Sequence, residues 1–263
     1  MEVEIVALSR QGGRSYNEDV FGHWNDGHFV ACLVADGAGG HGGGDVASAT
    51  VRSSVLDAFS RSPTIDTGVM RALIEQANLA VVARQSESSA LSAMRTTVVL
   101  VAIDIERNEM AWAHCGDSRA YLFRRGAMVA RTKDHSLVQQ LVASGMLDDE
   151  GARLHPTRNV LLAALGSVDE PLDVAVCGPM PLQEGDAVLI CSDGLWEPLG
   201  DAMLAETLRA SPSPSTWLEL LEQKVKALAK PGHDNYTALT LWAHDGDVLT
   251  HLMTPSPPGN SPE

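Results

Sequence analysis

The order of strand-like and helix-like segments constrains the fold of this chain most strongly. Glu2–Leu8 alternates acidic and apolar residues and Phe29–Ala35 is a short apolar run, so both are predicted strands. Apolar residues then recur at helical spacing over 45–59, with Asp45 as the expected N-cap, and over 70–81. Strand character follows at Thr97–Ile103, Met110–Cys115 and Tyr121–Phe123.

The second half of the chain continues without regular strand–helix alternation. Ser136–Ser144 is a predicted short helix, and Gly145–Pro171 is a weakly periodic excursion of the length typical of a functional loop. The remaining predicted segments are strands at Val174–Val176, Ala187–Ser192 and Tyr236–Trp242, and helices at Asp201–Arg209 and Thr216–Ala229. This order favours antiparallel sheets covered by helices, an α+β layered sandwich, over a parallel sheet.

The amino-acid composition argues against two classes of binding partner, nucleic acids and anionic membranes. The 263 residues are enough for a sizeable core, and the formal net charge is -15, from 34 acidic and 19 basic residues. Such a charge argues against binding to nucleic acid or to an anionic membrane surface, because both require clustered Lys and Arg. The acidity serves either solubility or the binding of divalent cations, and composition does not choose between them.

The cysteines and the first residues of the sequence predict the cellular compartment of the protein. The four cysteines, Cys32, Cys115, Cys177 and Cys191, form no Cys-x-x-Cys pair and are predicted to be buried free thiols in a reducing compartment. The first residues lack the pattern of a signal peptide, and no apolar stretch reaches the length of a membrane span, so the cytoplasm is predicted. Residues 1–245 are predicted to form one domain, and the Pro- and Ser-rich tail 246–263 is predicted to be disordered.

A glycine-rich loop offers a nucleotide-binding alternative. Residues 37–42 match G-x-G-x-x-G between a predicted strand and a predicted helix. However, Asp36 directly precedes the loop, where its charge would repel a pyrophosphate. The next predicted element is a second helix, so the second strand of a dinucleotide-binding unit is missing. A cation suits this loop better than an anion, and a nicotinamide-dependent dehydrogenase is the most distant alternative.

Four aspartates lie where predicted strands meet loops, and a fifth lies in a polar loop. The four are Asp36, Asp117, Asp193 and Asp234, and the fifth is Asp19, in the polar loop Arg14–Asp19. In antiparallel sheets the end of one strand lies beside the start of its neighbour, so one edge of the fold can collect all five. Clustered carboxylates repel one another, and Mg²⁺ and Mn²⁺ prefer oxygen ligands. The pattern therefore predicts a divalent metal site, although each aspartate alone is as well explained as a turn or cap residue.

Four sets of residues, in order, carry a family resemblance. They are Arg14–Asp19 (RSYNED), Val34–His41 (VADGAGGH), Gly116–Arg119 (GDSR), and Ser192–Trp196 (SDGLW) with His233–Asn235 (HDN). Together they resemble the metal-dependent protein phosphatases (protein phosphatase type 2C), and most closely the compact bacterial members. The resemblance extends over roughly residues 2 to 243. Each motif alone is weak, whereas the ordered set is specific.

The resemblance implies both a fold and a metal centre. The fold would be a four-layer α-β-β-α sandwich with two central antiparallel sheets. Two core ions, Mn²⁺ or Mg²⁺, would be held by Asp19, Asp36, the carbonyl of Gly37, Asp193 and Asp234. Asp117 corresponds to the position where many bacterial members bind a third, looser ion.

The same resemblance implies a hydrolytic mechanism for phosphoserine and phosphothreonine. Two metals about 3.5–4 Å apart share a water, lower its pKa and direct hydroxide at phosphorus. Arg14 would grip the phosphate with its guanidinium fork, and Glu18 would act through metal-bound water. His41 is a candidate general acid for the leaving oxygen, with a structural loop histidine as the alternative. No covalent phosphoenzyme is expected, because the sequence has no Cys-x₅-Arg loop.

Two departures from the family pattern concern the region around the site. Leu162 and Ala163 stand where the family usually carries Thr-Arg, within a mobile flap expected over about 145–171. Arg95 stands where glycine is usual.

The expected partners are phosphorylated Ser/Thr proteins and, by family analogy, a cognate Ser/Thr kinase, with the enzyme a monomer. The main alternative is a pseudophosphatase that serves as a regulatory binding module. A further alternative is a phosphatase dedicated to an anti-sigma-factor antagonist.

Overall fold

A computed structural model describes residues 1–38, 43–168 and 171–244. The tail predicted to be disordered lies outside these residues, as does the end of the glycine-rich loop. The strands are β1 (Glu2–Arg10), β2 (Val20–Asn25), β3 (Phe29–Ala35), β4 (Gly37–Ala38), β5 (Arg95–Thr96), β6 (Val98–Asp104), β7 (Glu109–Cys115), β8 (Arg119–Arg124), β9 (Ala127–Arg131), β10 (Ala175–Pro181), β11 (Ala187–Cys191) and β12 (Tyr236–His244). The helices are α1 (Gly44–Arg61), α2 (Thr67–Gln85), α3 (Leu137–Ala143), α4 (Asp149–Leu154), α5 (Asp193–Arg209) and α6 (Pro214–Leu228).

Two five-stranded sheets form the centre of the fold, one in the order β1-β12-β11-β8-β9 and the other in the order β10-β7-β6-β3-β2. All of the pairings within these two sheets are antiparallel. Inward-facing residues of both sheets, such as Val34, Val101 and Ile190, pack against each other as one apolar layer. The expectation of antiparallel rather than parallel sheets is therefore confirmed, and the dinucleotide-binding fold is excluded.

Helices cover the outer face of each sheet. Residues of α1 and α2 such as Val51, Phe59 and Ile74 pack on the sheet that contains β3. On the other side, Leu204 of α5 and Trp217 of α6 pack on the sheet that contains β11. The periodic apolar face of each helix is what allows it to close one side of a sheet. The predicted α-β-β-α sandwich is confirmed.

Two local predictions were wrong. No strand was predicted between Leu8 and Phe29, but β2 occupies Val20–Asn25, because pairing with the buried β3 compensates for its mixed composition. Gly43, with φ of 112°, takes the N-cap position of α1, and Asp45 lies in the first turn. The helix predicted over Asp201–Arg209 is present as the second part of α5, and a kink at the non-helical Gly200 (φ 69°) separates it from a helical segment that begins at Asp193 and was not predicted.

Three of the cysteines, Cys32, Cys115 and Cys191, are buried free thiols as predicted. Cys177 is exposed, which corrects the prediction. It lies on β10, the edge strand of its sheet, with its side chain on the exposed side of an alternating burial pattern. Within the described ranges, none of the helices combines the length and apolarity needed to cross a membrane.

Candidate active site

Strand register brings two of the predicted aspartates to neighbouring positions. Val20, the first residue of β2, pairs with Ala35, the last residue of β3. Asp19 and Asp36 adjoin this pair in sequence, one before β2 and the other after β3. The two carboxyl groups lie close enough to affect each other, since the charge of Asp19 is among the causes that raise the pKa of Asp36.

The second sheet contributes its aspartates in the same way. Cys191, which ends β11, pairs on one side with Arg119 of β8 and on the other with Ala238 of β12. Asp193 follows β11, and Asp117 and Asp234 precede the two neighbouring strands. The expectation that strand ends gather the aspartates at one edge of the fold agrees with this register.

A cleft of about 480 Å³ opens at this edge between the two sheets. Four of the predicted carboxylates line its wall, namely Asp36, Asp117, Asp193 and Asp234. Gly37 and Arg14 line it as well. Asp19 is only 8% exposed and lies beneath the cleft surface. Arg95, the residue that replaces the usual glycine, also lines the cleft.

Several carboxylate oxygens beneath the cleft have no hydrogen-bond partner among the described residues. Ser192 Oγ donates to Asp19 Oδ2 at 2.6 Å, whereas Asp19 Oδ1 is buried without a partner. Asp193 Oδ1 and Glu18 Oε1 are in the same condition. A buried carboxylate oxygen without a donor is costly, and a divalent cation removes that cost directly.

The protonation of these groups reflects the same crowding. Loss of hydration, followed by repulsion from neighbouring aspartates, raises the pKa of Asp36 and Asp193 well above the ordinary value, although both side chains keep some contact with the cleft. Burial also raises the pKa of Asp19 to about 6 and that of Asp117 to about 7. These clustered carboxylates can all be ionised at low energetic cost only if a positive charge lies among them.

The residues fit hard divalent ions by their chemistry. Their donors are oxygens, which Mg²⁺ and Mn²⁺ prefer, and three of these oxygens have no hydrogen-bond partner among the described residues. Across residues 1–38, 43–168 and 171–244, however, no three His, Cys, Asp or Glu side chains converge as a ready coordination group. The carboxylates share one cleft, but their side chains are not arranged as a coordination group in this structure.

The raised pKa values predict a pH dependence of stability for the metal-free protein. Between the ordinary Asp value and the raised folded values of about 6 and about 7, the folded state binds more protons than the unfolded state. The stability present at low pH is therefore lost as the pH rises through this window. We expect the Tm of chelator-treated protein to fall from about pH 5 to about pH 7.5, and Mn²⁺ to restore it.

A charge-matched control separates this effect from general repulsion among surface charges. Asp193→Asn should flatten the pH profile of Tm, whereas Asp57→Asn, on the exposed face of α1, removes one charge and should leave the slope as it is. A metal-free Tm that rises over the same interval would contradict the prediction.

Arg14 lies at the mouth of the cleft and contacts one of the aspartates. Its Nη2 donates to Asp234 Oδ2 at 2.7 Å, and 53% of its side chain is exposed. The guanidinium has five N–H donors in a planar fork, so this single contact leaves most of them for another anion. The site therefore combines a carboxylate cluster with one cation placed at its edge.

Close backbone packing fixes the segment around Gly37. A Cβ at Gly37 would lie 2.1 Å from the carbonyl oxygen of Gly44 and 2.9 Å from that of Glu18. The amide of Gly37 also donates to the Glu18 carbonyl at 3.3 Å. Only glycine permits this approach, which holds the loop after β3 against the start of α1.

Sequence reasoning assigned no role to several residues that hold the aspartates in place. Thr97 Oγ1 accepts from the amide of Asp36 at 3.1 Å. Asn235 Oδ1 accepts from the amide of Glu18 at 2.9 Å, and its Nδ2 donates to the carbonyls of Gln11 and Tyr16. In the sequence, only their position next to predicted ligands suggested that Ser192 and Asn235 support the site, because their hydrogen-bond partners lie far away in sequence.

Asp117 is positioned by the start of α5. Trp196 Nε1 donates to the carbonyl of Asp117 at 3.0 Å, and the Trp196 ring stacks under the guanidinium of Arg119 at 3.4 Å. Arg119 in turn forms a buried bidentate pair with Asp134. His41, the candidate general acid, lies outside the described residues.

Comparison with known proteins identifies relatives over most of the chain. Residues 9–236 match the family described as protein phosphatase 2C. The serine/threonine phosphatase stp of Listeria innocua is 34% identical over 232 residues, which cover 86% of this chain and 90% of that protein. The comparisons give no support to a binding module without turnover.

Solved structures agree with this relationship. The crystal structure of the Mycobacterium tuberculosis serine/threonine phosphatase PstP/Ppp is 29% identical and has a TM-score of 0.78, covering 92% of this chain and 99% of that one. The catalytic domain of PstP in complex with 2 manganese ions is 30% identical with a TM-score of 0.75, covering 92% of this chain and 99% of that one.

Proposed function

This chain belongs to the protein phosphatase 2C family of serine/threonine protein phosphatases, and from that premise we propose that it hydrolyses phosphoserine and phosphothreonine with two divalent ions bound in the cleft. The single observation that carries this proposal is the set of carboxylates around one cleft, with buried oxygens that have no hydrogen-bond partner in the described part of the chain. The manganese-containing structure of PstP supports the choice of ion, Mn²⁺ or Mg²⁺.

The residues that would hold the two core ions are Asp19, Asp36, the carbonyl of Gly37, Asp193 and Asp234, with Asp117 available to a third ion. When bound, such ions lower the pKa of a water molecule and neutralise charge on a phosphoryl group. The structural contribution of the chain is to bring carboxylates from both sheets to one edge. There the hydroxyl of Ser192 donates to Asp19 and the amide of Asp36 donates to Thr97 Oγ1, and both hydrogen bonds orient the aspartate segments.

Arg14 would bind the phosphoryl oxygens. More than half of its side chain is exposed where it lines the cleft, and a planar fork matches two phosphoryl oxygens at once. Charge placed there stabilises the transition state of phosphoryl transfer more than the ground state. His41 remains our candidate for protonating the leaving oxygen.

The substrate class is phosphorylated protein, in keeping with relatives named serine/threonine phosphatases. We further propose a monomeric enzyme whose catalytic domain comprises residues 1–245, that acts in the cytoplasm and opposes a Ser/Thr kinase. The negative charge of the chain is consistent with a protein substrate rather than a nucleic acid.

A metal-dependence assay tests the proposed chemistry. Chelator-treated protein should release no phosphate from a phosphothreonine peptide, and Mn²⁺ or Mg²⁺ should restore release. Calorimetric titration with Mn²⁺ should show binding to the wild type and much weaker binding to Asp193→Asn. Full turnover in excess chelator, or equal Mn²⁺ binding by the two proteins, would reject the metal-based proposal.

A further inference from the structure

A second cavity of about 540 Å³ adjoins the candidate active site. The two cavities share four lining residues, Arg14, Asn159, Asp193 and Asp234. They therefore form one continuous depression with the carboxylate cleft at one end. A polypeptide whose phosphate lies beside Arg14 can leave the cleft along this second part, which we term the flanking groove.

Part of the wall of the flanking groove is apolar. Leu154, at the end of α4, is 64% exposed, and Leu228, at the end of α6, is 47% exposed. Both line the groove, together with Val225 of α6 and the two prolines Pro198 and Pro231. Covering such exposed leucine side chains with another apolar group removes apolar surface from water, which is favourable.

The charged groups of the groove are arranged so that an anionic chain is tolerated. Two of its acids, Asp193 and Asp234, belong to the end shared with the cleft. The third, Glu197, is paired with Arg158 Nε at 2.7 Å, and Arg153 Nη1 donates to the Glu197 carbonyl at 2.6 Å. Lys230 is exposed at the rim, and its side chain makes no ion pair or hydrogen bond with the residues that the structure describes. Away from the cleft, the groove thus offers an exposed lysine and a neutralised acid, which complements a phosphorylated segment.

We propose that the flanking groove binds the polypeptide next to the phosphorylated residue and selects substrates with a large apolar side chain there. The apolar side chain would lie between Leu154 and Leu228. Continuity with the cleft favours a substrate segment, and repulsion between chains of net charge -15 disfavours a second copy. The inference rests on the proposed phosphatase function and adds a substrate preference to it.

A peptide series tests this preference. Phosphothreonine peptides that carry leucine at one flanking position at a time are compared with the all-alanine peptide, using the Mn²⁺-loaded full chain. At the favoured position, leucine should raise kcat/KM about tenfold, as expected for an apolar side chain entering a partly open apolar site. The double variant Leu154→Ser/Leu228→Ser should reduce this ratio to about one.

Leu79→Ser is the matched control, because Leu79 is 67% exposed on α2 and lines neither cavity. It should keep the tenfold ratio. Equal kcat/KM for leucine and alanine at every position in the wild type overturns the inference while leaving the phosphatase function intact. A stable dimer that the double variant dissolves also overturns it, since a second copy would then occupy the groove. Absence of Mn²⁺-dependent hydrolysis of p-nitrophenyl phosphate rejects the proposed function, and this inference with it.

Discussion

Replacing Asp36 by asparagine is expected to lower kcat/KM for phosphothreonine peptides by about 1000-fold. Asp36 interacts with Asp19 below the cleft and lies close enough to Asp193 and Asp234 for their charges to raise its pKa. A carboxylate at this central position is the group best placed to serve two ions together. Its loss should remove several kcal/mol of transition-state stabilisation, which corresponds to about three orders of magnitude.

The same substitution should change stability in the opposite direction. The asparagine side chain carries no charge, so repulsion among the remaining aspartates falls, and the Tm of the metal-free protein at neutral pH should rise by about 2–6 °C. Asp57→Asn serves as the control, because it removes a charge from the exposed face of α1 and should change neither activity nor Mn²⁺ affinity. Asp36→Asn with more than a tenth of wild-type kcat/KM and unaltered Mn²⁺ binding would contradict the assignment.

Gly37→Ala is expected to have the second largest effect. The new methyl group would lie 2.1 Å from the Gly44 carbonyl oxygen and 2.9 Å from the Glu18 carbonyl oxygen, both of which belong to the backbone. Neither can move without displacing the start of α1 or the loop that precedes β2. We expect a destabilisation of about 3 kcal/mol, or a fall in Tm of roughly 6–12 °C, together with a large loss of Mn²⁺-dependent activity.

A second glycine distinguishes this clash from a general effect of glycine replacement. Gly68 lies in the first turn of α2, where an added methyl group would meet only Asp66 Oδ1 at 3.2 Å. Gly68→Ala should therefore be neutral or stabilising, since alanine is the better helix former. Thermal melts and Mn²⁺ titrations of the two variants measure the difference, and equal Tm values for Gly37→Ala and wild type would show that the loop accommodates a side chain.

Much of the fold could be predicted because its strands and helices carry clear periodicity. Phe29–Ala35 is almost fully buried between its neighbours, and its sequence is correspondingly apolar throughout. Four of the predicted aspartates could be found because each follows or precedes such a strand, whereas Asp19 was found in a polar loop. Antiparallel pairing then brings them to one edge, as the pairing of Val20 with Ala35 illustrates.

Features set by tertiary contacts were not predictable in the same way. Strand β2 has mixed composition and is stabilised by pairing with β3, a long-range contact that local sequence does not report. The start of α5 at Asp193 is similarly hidden, because Gly194 and Pro198 are poor helix formers. The contact of Asn235 with Glu18 joins residues 217 positions apart, and no local pattern signals it.

The pairing of β1 with β12 has a consequence for the synthesis of the enzyme. Glu2 pairs with His244 and Arg10 with Tyr236, so the first strand lies against the last one. Asp234 and Asn235, which complete the cleft and support Glu18, are therefore translated long after Asp19 and Asp36. A nascent chain on the ribosome already carries Asp19 and Asp36, yet it has no hydrolytic centre until nearly all of the two sheets has emerged. Partial translation products should accordingly be unable to dephosphorylate their surroundings.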